Sequence, residues 1–185
     1  MNSKSEPWYF HAALYAVIVI LIAILIKVAI IDPKNIVEAE NYYKNESRLR
    51  MENIKEAEIL YEKKYNRFSG NLDTLVNFIK TSPMVDSVIN GYDSLSRRST
   101  NPFVKLSEGE FIPDSLLRTP KSQRKYTLKI DSSVTADTVV NRRGKIIRIN
   151  KHTIMGTKYY LEDPDGYGTI GSLDNDALKN TASWQ

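Results

Sequence analysis

The chain has 185 residues, of which 26 are lysine or arginine and 22 are aspartate or glutamate, so its formal net charge at pH 7 is +4. That length accommodates one membrane anchor and one domain with a modest core, and the slight basic excess is spread along the chain rather than clustered on the face that nucleic-acid binding needs. The absence of cysteine excludes disulfides, thiolate catalysis and cysteine-ligated zinc.

After an N-terminal flank of residues 1–11, residues 12–31 are almost uniformly apolar, and Lys27 is the single charged residue among them. A helix rises about 1.5 Å per residue, so this segment spans about 30 Å, the thickness of the hydrocarbon core of a bilayer. Residues 8–10 are Trp, Tyr and Phe, which gather at membrane interfaces. The pattern predicts one transmembrane helix over 12–31, with the lipid bilayer as partner and Lys27 reaching back to the interface.

Two other interpretations of this segment fit less well. A cleaved signal peptide has a shorter apolar region followed by a small-x-small cleavage site. A helix in the core of a small domain keeps a solvent-facing side, which a segment apolar on all sides lacks. We expect Asp32 and Pro33 to end the helix, because proline lacks an N–H and disfavours helix in the residue before it. Residues 32–35 are then a linker.

The basic residues around the segment bear on its orientation. Only Lys4 precedes it, whereas several lie at or after its end: Lys27, Lys34, Lys44, Arg48 and Arg50. Because cytoplasmic flanks carry the excess of lysine and arginine, this count by itself places the C-terminal part in the cytoplasm.

We expect residues 36–185 to form one soluble domain that opens with a long helix over 36–66, since this stretch is rich in Glu, Lys, Arg and Ala and holds no Gly or Pro. Apolar residues recur along it at steps of three and four: Met51, Ile54, Ala57, Tyr61, Tyr65 and, just beyond it, Phe68. The simplest interpretation of this stripe is a core face covered by a sheet. Its first five members are also candidates for packing against copies or partners.

The next segments are shorter. A break at residues 69–71 precedes a helix predicted over 72–80, with Asn71 as its N-cap. Proline and glycine punctuate residues 81–121, which we expect to be irregular, with short helical turns near 85–89 and after Pro113. Such a segment serves as a binding loop, a lid or a packed connection.

From Arg124 the apolar residues alternate with polar ones, which predicts antiparallel strands over 124–173 with a turn at 141–144 and a separate strand at 157–162. Basic residues at that turn form either a solvated hairpin tip or a site for an anion or lipid headgroup: Arg142, Arg143 and Lys145. The tail, 174–185, ends near Trp184, which we expect to pack on the domain as an apolar latch. The predicted fold class is α+β, with a long amphipathic helix on a small antiparallel sheet.

The chain lacks familiar catalytic motifs. Its two histidines, His11 and His152, are far apart, and neither a Gly-x-Ser-x-Gly elbow nor a phosphate-binding Gly-x-x-x-x-Gly-Lys run is present. We therefore expect no catalytic residues and no organic cofactor. Four aspartates on a Gly-bearing segment are candidate calcium ligands, although Asp and Gly make turns without metal and the EF-hand spacing is absent: Asp163, Asp165, Asp174 and Asp176.

The run Ala57-Glu58-Ile59-Leu60-Tyr61 followed by Tyr65-Asn66-Arg67-Phe68-Ser69-Gly70-Asn71-Leu72-Asp73-Thr74-Leu75, behind an N-terminal membrane helix, resembles type IV pilin-like proteins and type II secretion pseudopilins. The tail from Asp163-Pro164-Asp165-Gly166 to Trp184 is similar to the Asp- and Gly-rich, Trp-ended tail of major pseudopilins, where the family binds calcium. With Ile170-Gly171-Ser172-Leu173 and Ser183-Trp184, the chain resembles more closely a group of single-pass envelope proteins of Bacteroidota.

The resemblance implies a pilin-like domain that is exported. Pilins carry a glycine before the membrane helix and a glutamate within it, and this chain has neither, so the implied domain stays anchored. We therefore expect a single-pass inner-membrane protein with a periplasmic domain, a non-catalytic structural or assembly subunit of an envelope complex. Its partners would be other envelope proteins or further copies, with no nucleic acid. The alternative is a membrane-tethered module whose 81–121 loops bind a small ligand or a cell-wall component.

Overall fold

The computed structural model describes residues 8–95, 97–107, 109–140 and 146–185. The predicted α+β class is confirmed: a long apolar N-terminal helix precedes a domain with a small antiparallel sheet. The chain divides into two compact units, residues 1–43 and 44–185.

The first unit is helical throughout its described part. Helix α1, Trp8–Ile26, is followed by a π-helical turn, Lys27–Ile31, and then by α2, Asp32–Tyr65. The prediction that Asp32 and Pro33 end the helix, with a linker at 32–35, is therefore wrong.

The π-helical turn explains why proline is tolerated here. The Asp32 N–H donates to the carbonyl oxygen of Lys27, five residues back, instead of four. A proline ring inside a regular helix collides with the carbonyl of the fourth residue before it and leaves that carbonyl without a donor. Because the π turn widens the backbone just before Pro33, the helix continues past it.

The second unit is built around the C-terminal half of α2. Helices α3, Leu72–Thr81, and α4, Pro83–Ile89, follow it, and one core cluster joins these helices to residues of the sheet. Fully enclosed members of that core come from both layers: Met51, Ile54, Ala57, Leu75, Tyr159, Leu161 and Ile170. The apolar stripe of the long helix is thus the inner face of the domain.

Local signals explain the ends of these helices. The Asn71 side chain accepts a hydrogen bond from the Asp73 N–H at 2.8 Å, which caps the first turn of α3. In the irregular segment, α4 and a 3-10 turn, Pro113–Leu117, lie where helical turns were expected. A two-residue hairpin there, β1 at Tyr92–Asp93 with β2 at Arg98–Ser99, was not expected.

The main sheet has the order β3-β4-β5 and is antiparallel. Its strands are β3, Thr127–Val140, β4, Ile146–Glu162, and β5, Thr169–Gly171. The segment 157–162, expected as a separate strand, is the end of β4. The turn expected at 141–144 lies outside the described residues, and so do the three basic residues that would form either its solvated tip or an anion site: Arg142, Arg143 and Lys145.

The C-terminal tail closes on the core as expected. Trp184 packs against the core cluster, and the Arg48 guanidinium lies 5.0 Å from the centroid of its ring. Gly168 has φ +147°, and a Cβ at this position would collide with the Trp184 ring. Only glycine therefore fits beneath the Trp184 ring.

Candidate functional site

The most prominent surface of the described chain is the apolar helix α1. None of its residues is buried, and even its largest side chains face outward, with Trp8 79% and Leu25 65% exposed. A contiguous apolar surface of this extent on a soluble protein marks a membrane or protein contact. By length and composition this is the one helix, among the described residues, that could cross a membrane.

The stripe residues proposed for partner packing lie elsewhere. Met51, Ile54 and Ala57 are fully buried and Tyr61 is 8% exposed, all within the core of the same chain. This corrects the expectation that they face copies or partners, because a side chain enclosed by its own domain offers no surface to another molecule. Tyr65 is the exception: it is 46% exposed, with its ring 5.9 Å from that of Phe78.

Two of the candidate calcium ligands are already bound by protein groups. Asp163 is buried, accepts a hydrogen bond from the Ser47 hydroxyl, and caps the Asp165 N–H at 2.7 Å. Asp165 pairs with Arg124 at 2.9 Å and accepts from the Ser122 N–H at 3.2 Å. Burial raises the pKa of Asp165, but hydrogen bonds from Ser122, Thr119 and Arg124 outweigh it and leave the pKa below its ordinary value.

The other two candidates are exposed and apart from these. Asp174 is exposed, and Asp176 lies 3.3 Å from the Lys158 ammonium. In the part of the chain that the structure describes, no three His, Cys, Asp or Glu side chains come together as a metal-binding group. Calcium binding by these aspartates is therefore implied by the resemblance alone.

Chelation tests that prediction directly. Because Asp163 and Asp165 already accept charged or hydroxyl donors, we expect the melting temperature of the full chain in detergent to be the same with calcium and with excess EGTA. Circular dichroism at a strand wavelength measures it. A drop of several degrees on chelation, reversed by calcium but not by magnesium, would instead establish the ion site.

Polar side chains on α2 hold the irregular segment and residues at the ends of β3 and β4 against the helix. Asn53 is fully buried and binds the Val104 backbone on both sides, donating to its carbonyl at 2.9 Å and accepting from its N–H at 2.7 Å. Ser47 contacts the Tyr126 hydroxyl at 2.9 Å besides donating to Asp163. Burial raises the pKa of Tyr126.

The buried Glu46 completes this set of contacts. Its carboxylate accepts from the Ser107 N–H at 2.9 Å and from the Arg50 side chain at 3.0 Å. Burial raises the pKa of Glu46, but these donors outweigh it and the pKa ends below its ordinary value. The carboxylate therefore stays charged and serves as a structural acceptor.

Glu58 differs from Glu46, because it is fully buried and only one of its two carboxyl oxygens has a hydrogen-bond partner among the described residues. One carboxyl oxygen accepts from the Ser69 N–H at 2.8 Å, while the other has no partner among the described residues, and neither does the buried Tyr159 hydroxyl. Burial, opposed by the Ser69 N–H and reinforced by Glu62, raises the pKa of Glu58 to about 8. Burial, with Glu58 as the leading nearby charge, also raises the pKa of Tyr159. The fully buried Glu58 carboxyl therefore holds its proton more tightly than an exposed glutamate does.

These buried polar residues were missed because they lie beside or within the apolar stripe. Ser47 and Glu58 continue the spacing of Met51, Ile54 and Tyr61 at steps of four and three, so a heptad count along α2 would have placed both on the inner face. A polar residue at these positions does not by itself indicate burial, since serine and glutamate are mostly exposed in proteins.

A surface cleft of about 320 Å³ lies in the irregular segment. Ile79 and Ile89 line it with Phe103 and Phe111, whose rings stack with centroids 4.4 Å apart. Its charged lining residues are Lys105 and Glu110. The cleft has the apolar lining with a few polar groups that small-molecule sites share.

Comparison with known proteins is negative at every level. No family profile, no curated protein and no solved structure matches this chain.

Proposed function

We propose that this chain is a non-catalytic, single-pass inner-membrane protein. Its pilin-like periplasmic domain would act as a structural or assembly subunit of a multi-protein envelope complex, such as a secretion, motility or pilus-like machine. One observation carries the proposal: α1 is wholly exposed and apolar, and the helix continues through the π turn into α2, whose C-terminal half is the core of the domain. One helical segment thus supplies both the candidate anchor and the folding core.

The use of polar groups in the domain supports a structural role. Among the described residues, buried polar side chains connect α2 to the irregular segment and to the end of β4, as Asn53 does to Val104 and Ser47 to Asp163. The acid with the strongly raised pKa, Glu58, is sealed from solvent. Catalytic acids need access to a reacting group, so this arrangement favours stability over chemistry.

Periplasmic placement follows from the resemblance to exported pilin-like proteins and runs against the lysine and arginine count. A reporter enzyme fused after Gln185 tests it, with the same reporter fused after Lys4 as the opposite-side control. Activity of the C-terminal fusion only in the cytoplasm would refute the placement.

Extraction from native membranes tests the assembly role. In a mild detergent we expect the chain to elute at several times its mass of 21.2 kDa, together with other envelope proteins that mass spectrometry identifies. An unrelated single-pass protein with the same tag, extracted in parallel, controls for micelle size and nonspecific capture. A chain that elutes as a monomer with no companion contradicts this role.

The cleft favours a second candidate, a membrane-tethered binding module. Its apolar wall, formed by Ile79, Ile89, Phe103 and Phe111, accepts a small ligand, and Lys105 and Glu110 supply charge. A monomer whose melting temperature rises with a cell-wall fragment, and no longer does so when Phe111 is replaced by serine, would support this module over the assembly subunit.

A further inference from the structure

Strand β3 is an edge of the main sheet along its whole length. It has 14 residues, and among the described strands β4 is its one partner in the order β3-β4-β5. No backbone hydrogen bond joins the described part of β3 to any segment other than β4. Every second residue of an edge strand directs its N–H and C=O outward, so β3 presents a row of unused donors and acceptors.

Natural sheets protect such edges with proline, bulges, charged side chains or covering segments. Of these devices, β3 carries charged residues, Lys129, Asp131 and Asp137, but no proline. The chain from Thr127 to Val140 contains neither proline nor glycine. Both register shifts place their extra residues in β4. From Ile130 to Ser132, β3 advances two residues while its partner positions move four, from Tyr159 to Met155.

At the second shift, β3 advances one residue, from Val139 to Val140, while its partner positions move two, from Arg148 to Ile146. The extra residues therefore lie in β4 at both shifts, and β3 has no inserted residue at either. A regular edge is the geometry that accepts a further strand.

Within the described part of the chain, the outer half of this hairpin has no third strand. β5 reaches only Tyr160 to Glu162 of β4, so β3 and β4 pair alone from Ser132↔Met155 to Val140↔Ile146. Two-stranded ribbons are marginal in water, and a third strand stabilises them.

We propose that the edge of β3 binds β3 of a second copy of this chain, antiparallel, about a two-fold axis through Ser133. The two sheets then form one sheet of order β5-β4-β3-β3-β4-β5. This inference rests on the proposed function as an assembly subunit and names one of its contacts.

Two criteria favour a second copy as the partner and fix its register: the length of strand that becomes paired, and the charges that face each other across the pair. The midpoint of the 14-residue strand lies between Ser133 and Val134, so only registers centred near it pair the full strand. Centring on Ser133 pairs Thr127 to Val139 and sets Lys129 of each copy opposite Asp137 of the other. Centring on Val134 sets Asp131 opposite Asp137. Opposed unlike charges stabilise a strand pair and like charges destabilise it, so the strand is complementary to itself in the first register.

A single cysteine tests the register, since the chain has none of its own. In Ser133→Cys the two substituted positions are directly opposite each other at the axis, at a backbone separation that a disulfide spans. In the control Thr138→Cys the two positions are ten residues apart along the strands, roughly 34 Å. Under mild oxidation of the full chain in detergent, we expect Ser133→Cys to form a covalent dimer and Thr138→Cys to stay monomeric. Failure of Ser133→Cys to crosslink, or equal crosslinking of both, overturns the proposal.

Charge exchange provides a second, independent readout. Lys129→Asp sets aspartate opposite Asp137, and Asp137→Lys sets lysine opposite Lys129, so each single change should weaken dimerisation roughly tenfold. The double variant restores both opposed pairs and should recover the wild-type dimer constant, measured by analytical ultracentrifugation in detergent. Single variants that dimerise like wild type, or a double variant as weak as the singles, contradict the register.

The two proposals fail in different ways. A large assembly that persists without crosslinking at Ser133 refutes only the β3 contact. A chain that is monomeric and without companions in native membranes refutes the assembly role itself.

Discussion

Replacing Leu21 and Ile22 together by aspartate is expected to release the chain from the membrane pellet. Thirteen of the twenty residues from Ala12 to Ile31 are Ile, Leu or Val. At roughly −0.3 to −0.6 kcal/mol each, they favour insertion by about 4 to 8 kcal/mol. Two aspartates near the centre cost about 5 to 7 kcal/mol and remove two favourable residues, so the balance turns against the bilayer.

The matched control replaces the same two residues by alanine. Alanine keeps the helix and adds no charge, so this variant should stay with the membranes through an alkaline carbonate wash, as wild type does. Immunoblots of pellet and supernatant measure the distribution. If the wild-type chain, with its first thirty residues intact, appears in the supernatant, α1 is not an anchor.

The free energy of unfolding of the domain is expected to fall as pH rises from about 4.5 to about 8, because of Glu58. In the unfolded chain this carboxyl ionises near its ordinary pKa of 4.5, whereas in the fold the pKa is about 8. The folded state then holds the proton more tightly than the unfolded state does. The resulting contribution to the free energy of unfolding is fully present below pH 4.5 and decreases until pH passes 8. At pH 7 the free energy of unfolding is lower than its value below pH 4.5 by roughly 3 kcal/mol.

Glu58→Gln should abolish this loss. Glutamine is neutral at every pH, and its carbonyl still accepts from the Ser69 N–H, so we expect the variant to exceed wild type by roughly 3 kcal/mol at pH 7 and by little at pH 4.5. Urea titrations of the full chain in detergent, read by pulse proteolysis between pH 4.5 and 8.5, measure the difference.

The control for this experiment is the same exchange at a surface acid. Glu110 is exposed, so Glu110→Gln should leave the urea midpoint and its pH dependence close to those of wild type. A Glu58→Gln variant less stable than wild type at pH 8 would show that the native carboxyl is charged and paired, contrary to its burial.

Where a signal is local, the prediction from the residues and the structure agree. The α+β class follows from the change of apolar period near Arg124, and the apolar segment 12–31 is evident from composition alone. The Asn71 cap depends on a side chain and an N–H two residues apart. Each of these features requires only neighbours in the chain, so one sequence suffices to find it.

Other features depend on residues that are distant in the chain, and the structure alone determined them. Asp163 resembled a calcium ligand until the fold brought Ser47 against it, 116 residues away. Glu58 is an acidic residue on a helix, yet the domain buries it completely. The helix continues beyond Pro33 because a π-helical turn precedes this proline, and no residue pattern in the sequence predicts that turn. Sequence therefore determined which segments are apolar, helical or extended, since those are properties of neighbours. Tertiary structure decided which polar groups are buried and what they bind, because burial depends on what packs over a residue from elsewhere in the chain.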